Sequence, residues 1–570
     1  MALSRLSTTV GVSVLSLVVY VISVGYKRRS KINALRKQGV AMPKWNWWTG
    51  HLLVLKDNLD KLPADANVYY AMHDLVLDQH ADTEIFLMDY WPIHEPVLMI
   101  SSPSISTQVS VKYNLQKPHD SAKSFAPIVG GDSLISMNGD DWKTWRALFN
   151  PGFSASHMLD LVPMIVDSVE IFCELLRERA SADKMFSLSE MTMRLTMEII
   201  TKVTLDCDLK NQRHEHPYAH ALNTVVAWHS FWDPRILLNP ARPFVQRYYS
   251  NIVYNFIESE LSSRFSEMKR ERLASASQPP PKSKRAKSVM ALALDAYVTQ
   301  HTQTGAELKA LKLDDTFARL AVNQIRLFVF AGNDSTSSTI DYTYHLLSAH
   351  PSALATLRHE HTQVFGPDVT TTASLLKSQP ALLNQCPYTL AVIKEVLRLY
   401  PPSSSLKEGR PGVSLADDKG NAYPTEGLGA TLMHYFIHRN PRFWPRASEF
   451  LPERWLAGPE DPLYVNASNG AYRPFEHGSR NCIAHTLVYN ELRIVLILTA
   501  RLFDFRQAYG EWDELQKREE GAVKRAARAL GLVGEKVKTV FGERAYQTSL
   551  SGAHPADGYP CRVALAKSEE

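Results

Sequence analysis

Ten residues late in the chain, Phe475-Glu476-His477-Gly478-Ser479-Arg480-Asn481-Cys482-Ile483-Ala484, combine what a thiolate ligand to iron requires. Such a ligand needs a loop that exposes sulfur and aims backbone N–H groups at it, moderating its electron donation. Gly478 permits a tight turn with positive φ. Arg480 offers a guanidinium to a carboxylate on a cofactor. Phe475 can shield the sulfur from water, and Ala484 is small where the next helix must pass close. That helical pattern starts at Leu487, so Cys482 stands near a helix N-terminus, where an anion is stabilised. Cys173, Cys207, Cys386 and Cys561 lack such surroundings and read as buried inert thiols. Five widely spaced cysteines without C-x-x-C exclude a disulfide scaffold and a zinc ribbon.

The loop resembles the F-x-x-G-x-R-x-C-x-G signature of the cytochrome P450 monooxygenases, with Ala484 in place of the final Gly. Both are small, so the difference is mild. The resemblance implies that Cys482 is the axial ligand of haem b, with Phe475 and Arg480 beside it. Three further marks fit the family. Glu395 and Arg398 form an E-x-x-R on one helix face, 84 residues before Cys482 (482 − 398). Between them and the cysteine lies Phe450-Leu451-Pro452-Glu453-Arg454-Trp455, and the resemblance places Arg454 in a structural charged triad with Glu395 and Arg398. Trp142 and Arg146 match the family's W-x-x-x-R, whose indole N–H and guanidinium donate to a haem propionate. Arg410 is a further propionate candidate.

A long helical pattern covers residues 313–349, with Asp314 or Asp315 as its cap. Its middle reads Ala331-Gly332-Asn333-Asp334-Ser335-Thr336. Glycine inside a helix costs roughly 1 kcal/mol against alanine, so Gly332 needs a reason. The resemblance supplies one: the helix opens locally there to make a groove for dioxygen. An acid and an alcohol in that groove relay protons while bulk water is kept out. Asp334 takes the acid's place. Ser335 falls where Thr is usual, and either Ser335 or the adjacent Thr336 can supply the hydroxyl.

These residues need a scaffold, and the rest of the chain is built to provide one. It has 570 residues, 45% apolar and 21% charged, which excludes wholesale disorder. Its net charge of +4 is too balanced for a nucleic-acid binder. A mean hydropathy of −0.21 excludes a many-span membrane protein. Residues 64–570 read as one mainly α domain with small β-sheets, the P450 fold by resemblance. Helical periodicity runs over 158–179, 191–205, 243–272, 352–364, 388–399 and 487–503, with strand signals at 84–88 and 96–100. A Pro- and Lys-rich segment, 274–288, reads as a flexible loop.

The N-terminus is asymmetric. Residues 6–26 carry no charge and would span about 30 Å as a helix, the thickness of a bilayer core. Lys27, Arg28, Arg29, Lys31, Arg36 and Lys37 follow. A cleaved signal peptide would carry its charge before the apolar stretch. The pattern therefore predicts a retained transmembrane helix, with residues 1–5 as a luminal tip and the catalytic domain in the cytosol. Residues 27–63 form a basic, Trp-bearing linker; Trp45, Trp47 and Trp48 suit either a membrane interface or packing against the domain.

The function implied by the resemblance is insertion of one oxygen atom from O2 into a lipophilic small molecule by hydroxylation or epoxidation. No segment looks able to bind NADPH or flavin, so electrons are expected from another protein; the resemblance implies the membrane-bound NADPH–cytochrome P450 reductase, with cytochrome b5 as an additional donor. The chain looks most like fungal endoplasmic-reticulum members that tailor polyketides or terpenoids in secondary metabolism. It is expected to be a monomer. Substrate contacts are expected from residues 121–134, 228–232, 328–331, 403–406 and 551–559. Two rival functions are a reductase-independent haem-thiolate isomerase or dehydratase, and a non-enzymatic membrane-anchored haem-binding protein. The Gly332, Asp334 and Ser335 pattern counts against both.

Overall fold

Helices form where apolar residues recur at helical spacing, and they stop at identifiable caps. The computed structural model describes residues 2–230, 234–275, 287–303, 307–466, 469–519, 521, 538–549 and 551–567. Eight helices frame the site: α1 (Ala2–Lys37), α2 (Gly139–Phe149), α3 (Val162–Ala182), α4 (Leu188–Leu205), α5 (Arg242–Ser275), α6 (Asp315–Ala349), α7 (Pro387–Leu399) and α8 (His485–Thr499). Asp314 caps α6, its carboxylate accepting the Phe317 N–H at 2.8 Å. Ser187 caps α4 through the Glu190 N–H, and Asp206 ends that helix in a left-handed conformation at φ +55°. The pattern over 158–179 divides, because Pro163 opens α3 after a short helix Ala155–Asp160. The pattern over 487–503 ends early, at Thr499; Phe503 already belongs to a strand. The segment read as a loop at 274–288 lies, from 276 to 286, outside the described residues.

The strands are short and peripheral to the helices. They are β1 (Ile85–Met88), β2 (Val97–Ile100), β3 (Phe186–Ser187), β4 (Ser405–Glu408), β5 (Ser414–Ala416), β6 (Ala422–Pro424), β7 (Gly429–Leu432), β8 (Phe503–Gln507) and β9 (Pro560–Leu565). The main sheet runs β1-β2-β7-β4, with β2 and β7 parallel and the other pairs antiparallel. Strand β9 pairs with both β3 and β8, which carries the C-terminal segment back across the helical body.

The core is centred on α6 and α4. Gly332 meets Ile200 there: a Cβ at Gly332 would stand 2.8 Å from Ile200 Cδ1. This corrects one expectation. Residues 315–349 form a single α-helix with no opening at 331–336, and the glycine is required by close helix packing.

The N-terminal region is also more ordered than a linker. Arg29, Ile32 and Leu35, three residues apart, share one face of α1. Ile32 and Leu35 pack with Ile85, Leu87 and Leu98 of the main sheet. Arg29 is 2% exposed and ion-paired with Asp89. Trp45 donates its indole N–H to the same carboxylate at 2.9 Å, whereas Trp48 is 84% exposed. The tryptophans thus divide between packing and solvent. Residues 6–26 fall within α1, but the side chains at 2–12, 14, 17 and 18 lie outside the described residues. Among the described residues, no helix is long and apolar enough to cross a membrane.

Candidate active site

The loop before α8 is shaped around Cys482. Gly478 sits at φ +83°, and a Cβ there would stand 2.8 Å from the Ser110 carbonyl oxygen, so only glycine fits. The Asn481 N–H donates to the Gly478 oxygen at 3.2 Å, and the Cys482 N–H to the Phe475 oxygen at 2.8 Å. The Phe475 ring packs edge-on against Tyr489. The base of the loop is fixed by Arg473, which donates to Glu476 at 2.7 Å. Against the effect of burial, His434, Arg473 and the His477 N–H hold the Glu476 carboxyl far below its usual range.

Burial pushes the Cys482 thiol up, while the Ala484 N–H and Arg146 pull it down. Held by iron, the Cys482 sulfur would be deprotonated. Arg146 reaches the loop directly, donating to the Asn481 carbonyl at 2.9 Å and to its side chain at 3.2 Å. Trp142 lies against both guanidinium groups, 4.7 Å from Arg480 and 5.9 Å from Arg146. Arg480 donates to Met137 O at 2.6 Å and to Asn138 Oδ1 at 3.1 Å.

Two lysines complete this cluster, and sequence reading did not find them. Lys407 lies on β4, where alternate residues Ser405 and Lys407 face inward. The Glu408 N–H donates to the Gln116 oxygen at 2.9 Å, which draws the Lys117 segment alongside β4. Asn138 bonds both the Lys117 N–H and its carbonyl at 3.0 Å. Burial, then Lys117, pushes the Lys407 ammonium down to about 7; burial, then Arg480, pushes Lys117 down to about 8. Glu476 opposes both shifts. Neither lysine stands in a recognisable motif; the available signal was a lysine on the inward face of a strand. Arg410, in contrast, is exposed on the turn after β4, and its backbone N–H bonds Thr425. The structure does not bring it to the cluster.

Glu395, Arg398 and Arg454 do come together. Arg398 forms a two-pronged pair with Glu395 at 2.8 and 2.9 Å, and Arg454 donates to Glu395 at 3.0 Å. Spare donors on both arginines reach backbone oxygens of His438, Ala447, Glu449 and Pro445. All three side chains are 3% exposed or less.

These features agree with comparisons to known proteins. The family model described as Cytochrome P450 matches residues 44–529. The chain belongs to the cytochrome P450 family. It is 38% identical over 556 residues to "Cytochrome P450 monooxygenase polC" of Polytolypa hystricis, covering 96% of this chain and 93% of that one. It is 33% identical to "Cytochrome P450 monooxygenase acrF" of Aspergillus aculeatus, covering 84% and 94%. The solved structure "Crystal structure of cytochrome P450DA heme domain" superposes with a TM-score of 0.63 at 16% identity, over 93% of this chain and 98% of that one, a likeness of fold. This P450 is a haem-thiolate monooxygenase, and in the general arrangement of the family electrons come from NADPH through a reductase.

The residues present fit the haem. A cysteine sulfur meets a backbone N–H, and Lys117, Lys407, Arg480 and Arg146 lie close together with too little negative charge to match them. On α6 of the P450, Ala331 is exposed and Ser335 half-buried at the middle of an otherwise buried helix, four residues apart on one face. Ser335 Oγ donates to the Ala331 carbonyl at 2.8 Å. Thr336 is buried, and its hydroxyl finds no hydrogen-bond partner among the described residues. Asp334 points elsewhere: it is 7% exposed, with Oδ1 3.0 Å from His554 Nε2.

Proposed function

We propose that this P450 oxygenates a lipophilic small molecule of fungal secondary metabolism, of polyketide or terpenoid type, at the endoplasmic reticulum. The observation that carries the site reading is the set of unmatched cations around the Cys482 loop. In that reading Cys482 would be the thiolate ligand. Arg480, Lys117 and Lys407 would neutralise the carboxylates of the haem, with Trp142 and Arg146 beside the sulfur loop. The haem, when bound, supplies dioxygen activation. The chain's own residues supply the rest. The Ala484 N–H and Arg146 moderate charge on sulfur. Phe475 excludes water from it. Ser335 holds a hydroxyl on the open face of α6 and orders protons there, with Thr336 as the neighbouring alcohol and Asp334 as the acid. Glu395, Arg398 and Arg454 brace the fold from below without touching substrate.

The half-buried Phe330 and exposed Ala331 offer an apolar surface at this face, which supports a lipophilic substrate. Leu15, Val19 and Ile22 of α1 are 58–64% exposed, which supports a single-pass membrane anchor, and the run of cations from Lys27 to Lys37 supports a cytosolic domain. Electrons would come from the membrane-bound reductase, with cytochrome b5 as a second donor, to a monomeric chain. The test is turnover in reductase-containing vesicles under 18O2 with a panel of polyketides and terpenoids. One labelled oxygen atom in product supports the reading. No NADPH-dependent label on any panel member would overturn it.

A further inference from the structure

The acid of the α6 motif is fastened to the far end of the chain. His554 lies 220 residues beyond Asp334, in the turn leading to β9, and is 7% exposed. Its Nε2 stands 3.0 Å from Asp334 Oδ1 and its Nδ1 3.4 Å from Asp341 Oδ2. The two carboxylates are seven residues apart, hence on one face of α6. Asp341 is fully buried and also accepts from Ser189 Oγ at 2.6 Å and Thr192 Oγ1 at 2.9 Å of α4. The turn itself is pinned. Ser338 of α6 donates to the Ala553 oxygen, and Thr548 donates to the His554 oxygen through its N–H and its hydroxyl. Gly552 lets the turn approach, since a Cβ there would stand 2.7 Å from Asp334 Cγ.

We propose that His554 is a positioning residue for oxygen activation: its imidazolium parks the Asp334 carboxylate against the C-terminal turn, so the acid serves the Ser335 face only when that contact is released. This rests on the monooxygenase reading above. The same turn belongs to the segment expected to contact substrate, so seating of substrate against it can bias the latch. The titratable groups facing the imidazole are Asp334 and Asp341, both from α6; α4 contributes only the hydroxyls of Ser189 and Thr192, which bond Asp341. Burial by itself lowers His554, but its bonds to the two carboxylates outweigh this and raise it to about 10. At neutral pH the imidazole is therefore charged, while burial raises the Asp341 carboxyl against the opposing bonds from His554, Ser189 and Thr192. Release moves no covalent bond: the ion pair opens and Asp334 becomes free to exchange a proton with water or Ser335.

Two measurements on the full-length holoenzyme test this. In 15N-histidine-labelled protein, one imidazole should stay doubly protonated above about pH 9, well beyond the ordinary histidine range. If every histidine titrates below about pH 7.5 the latch does not exist. The second measurement is peroxide released per NADPH in His554→Gln, which keeps a neutral donor and loses the charge. We expect about a threefold to tenfold rise, with a changed pH profile and an intact carbon monoxide spectrum. Unchanged coupling with an intact spectrum would overturn the proposal while leaving the monooxygenase reading in place. Loss of NADPH-dependent product in the unmodified enzyme would instead overturn that reading. If His554→Gln does not fold, the histidine titration decides alone.

Discussion

Two charge clusters, one buried and one mostly half-buried, lie on the Cys482 side of the molecule, and they differ in whether their charges close. In the first, Glu395 accepts from Arg398, Arg454, the Trp455 indole at 3.0 Å and the Leu451 N–H at 3.0 Å, and the spare guanidinium donors reach carbonyl oxygens. It needs nothing from outside and sits at ordinary buried-network geometry. In the second, Lys117 and Lys407 stand near Glu476, whose Oε1 is taken by Arg473, and Arg480 and Arg146 adjoin them. Burial pushes the lysines and Arg480 down, Lys407 to about 7 and Arg480 to about 10. A closed cluster stabilises a fold; an open one is a socket for an anion. On the reading proposed above, that contrast separates the structural residues of this P450 from those that would hold its cofactor.

The closed cluster should break hardest. Arg398→Met removes the two-pronged partner of the buried Glu395 carboxylate, leaving Arg454 as its one guanidinium donor among the described residues, and should cost about 3–5 kcal/mol of stability, read by urea unfolding of the holoenzyme. A loss below about 1 kcal/mol would mean the network is dispensable. The open cluster should respond in cofactor affinity. Lys407→Met should weaken haem retention about tenfold in a transfer assay to apomyoglobin, with little change in unfolding of the apoprotein.

The pH dependence sharpens the same point. A propionate beside Lys407 raises its pKa from the depressed value, so the haem-bound state holds more protons than the free state. Haem affinity should then be greatest below about pH 7 and decline as pH rises toward 10. Lys407→Met should flatten that slope; an identical slope in the variant would remove Lys407 from the socket. The smallest effect is expected on the α6 face. Ser335→Ala should leave haem binding unchanged and lower product per NADPH severalfold, because it removes a hydroxyl from the open face and no buried charge. Unchanged product per NADPH would assign the relay elsewhere.

What the sequence made legible follows the same division. The thiolate loop is contiguous, so Phe475, Gly478, Arg480 and Cys482 declare their geometry in ten residues. Helix α6 was legible to within two residues, because its cap and its apolar period are local. The socket lysines were not legible, because Lys117 and Lys407 lie 290 residues apart in the sequence (407 − 117) and are brought together by backbone pairing such as the Glu408–Gln116 bond. Nor was the partner of Asp334, since nothing near residue 334 signals His554. The cost of Gly332 is legible in the sequence but its cause is not, because the crowding Ile200 lies on another helix.

The central claim is that Cys482, set in its loop beside the cation socket, is the thiolate ligand. The reduced carbon monoxide difference spectrum tests it most directly, in the unmodified enzyme and in Cys482→Ser. The unmodified enzyme should show its Soret band at the thiolate position, and Cys482→Ser should lose that band. A thiolate-position band that persists in Cys482→Ser, or is absent from the haem-loaded unmodified enzyme, would contradict it.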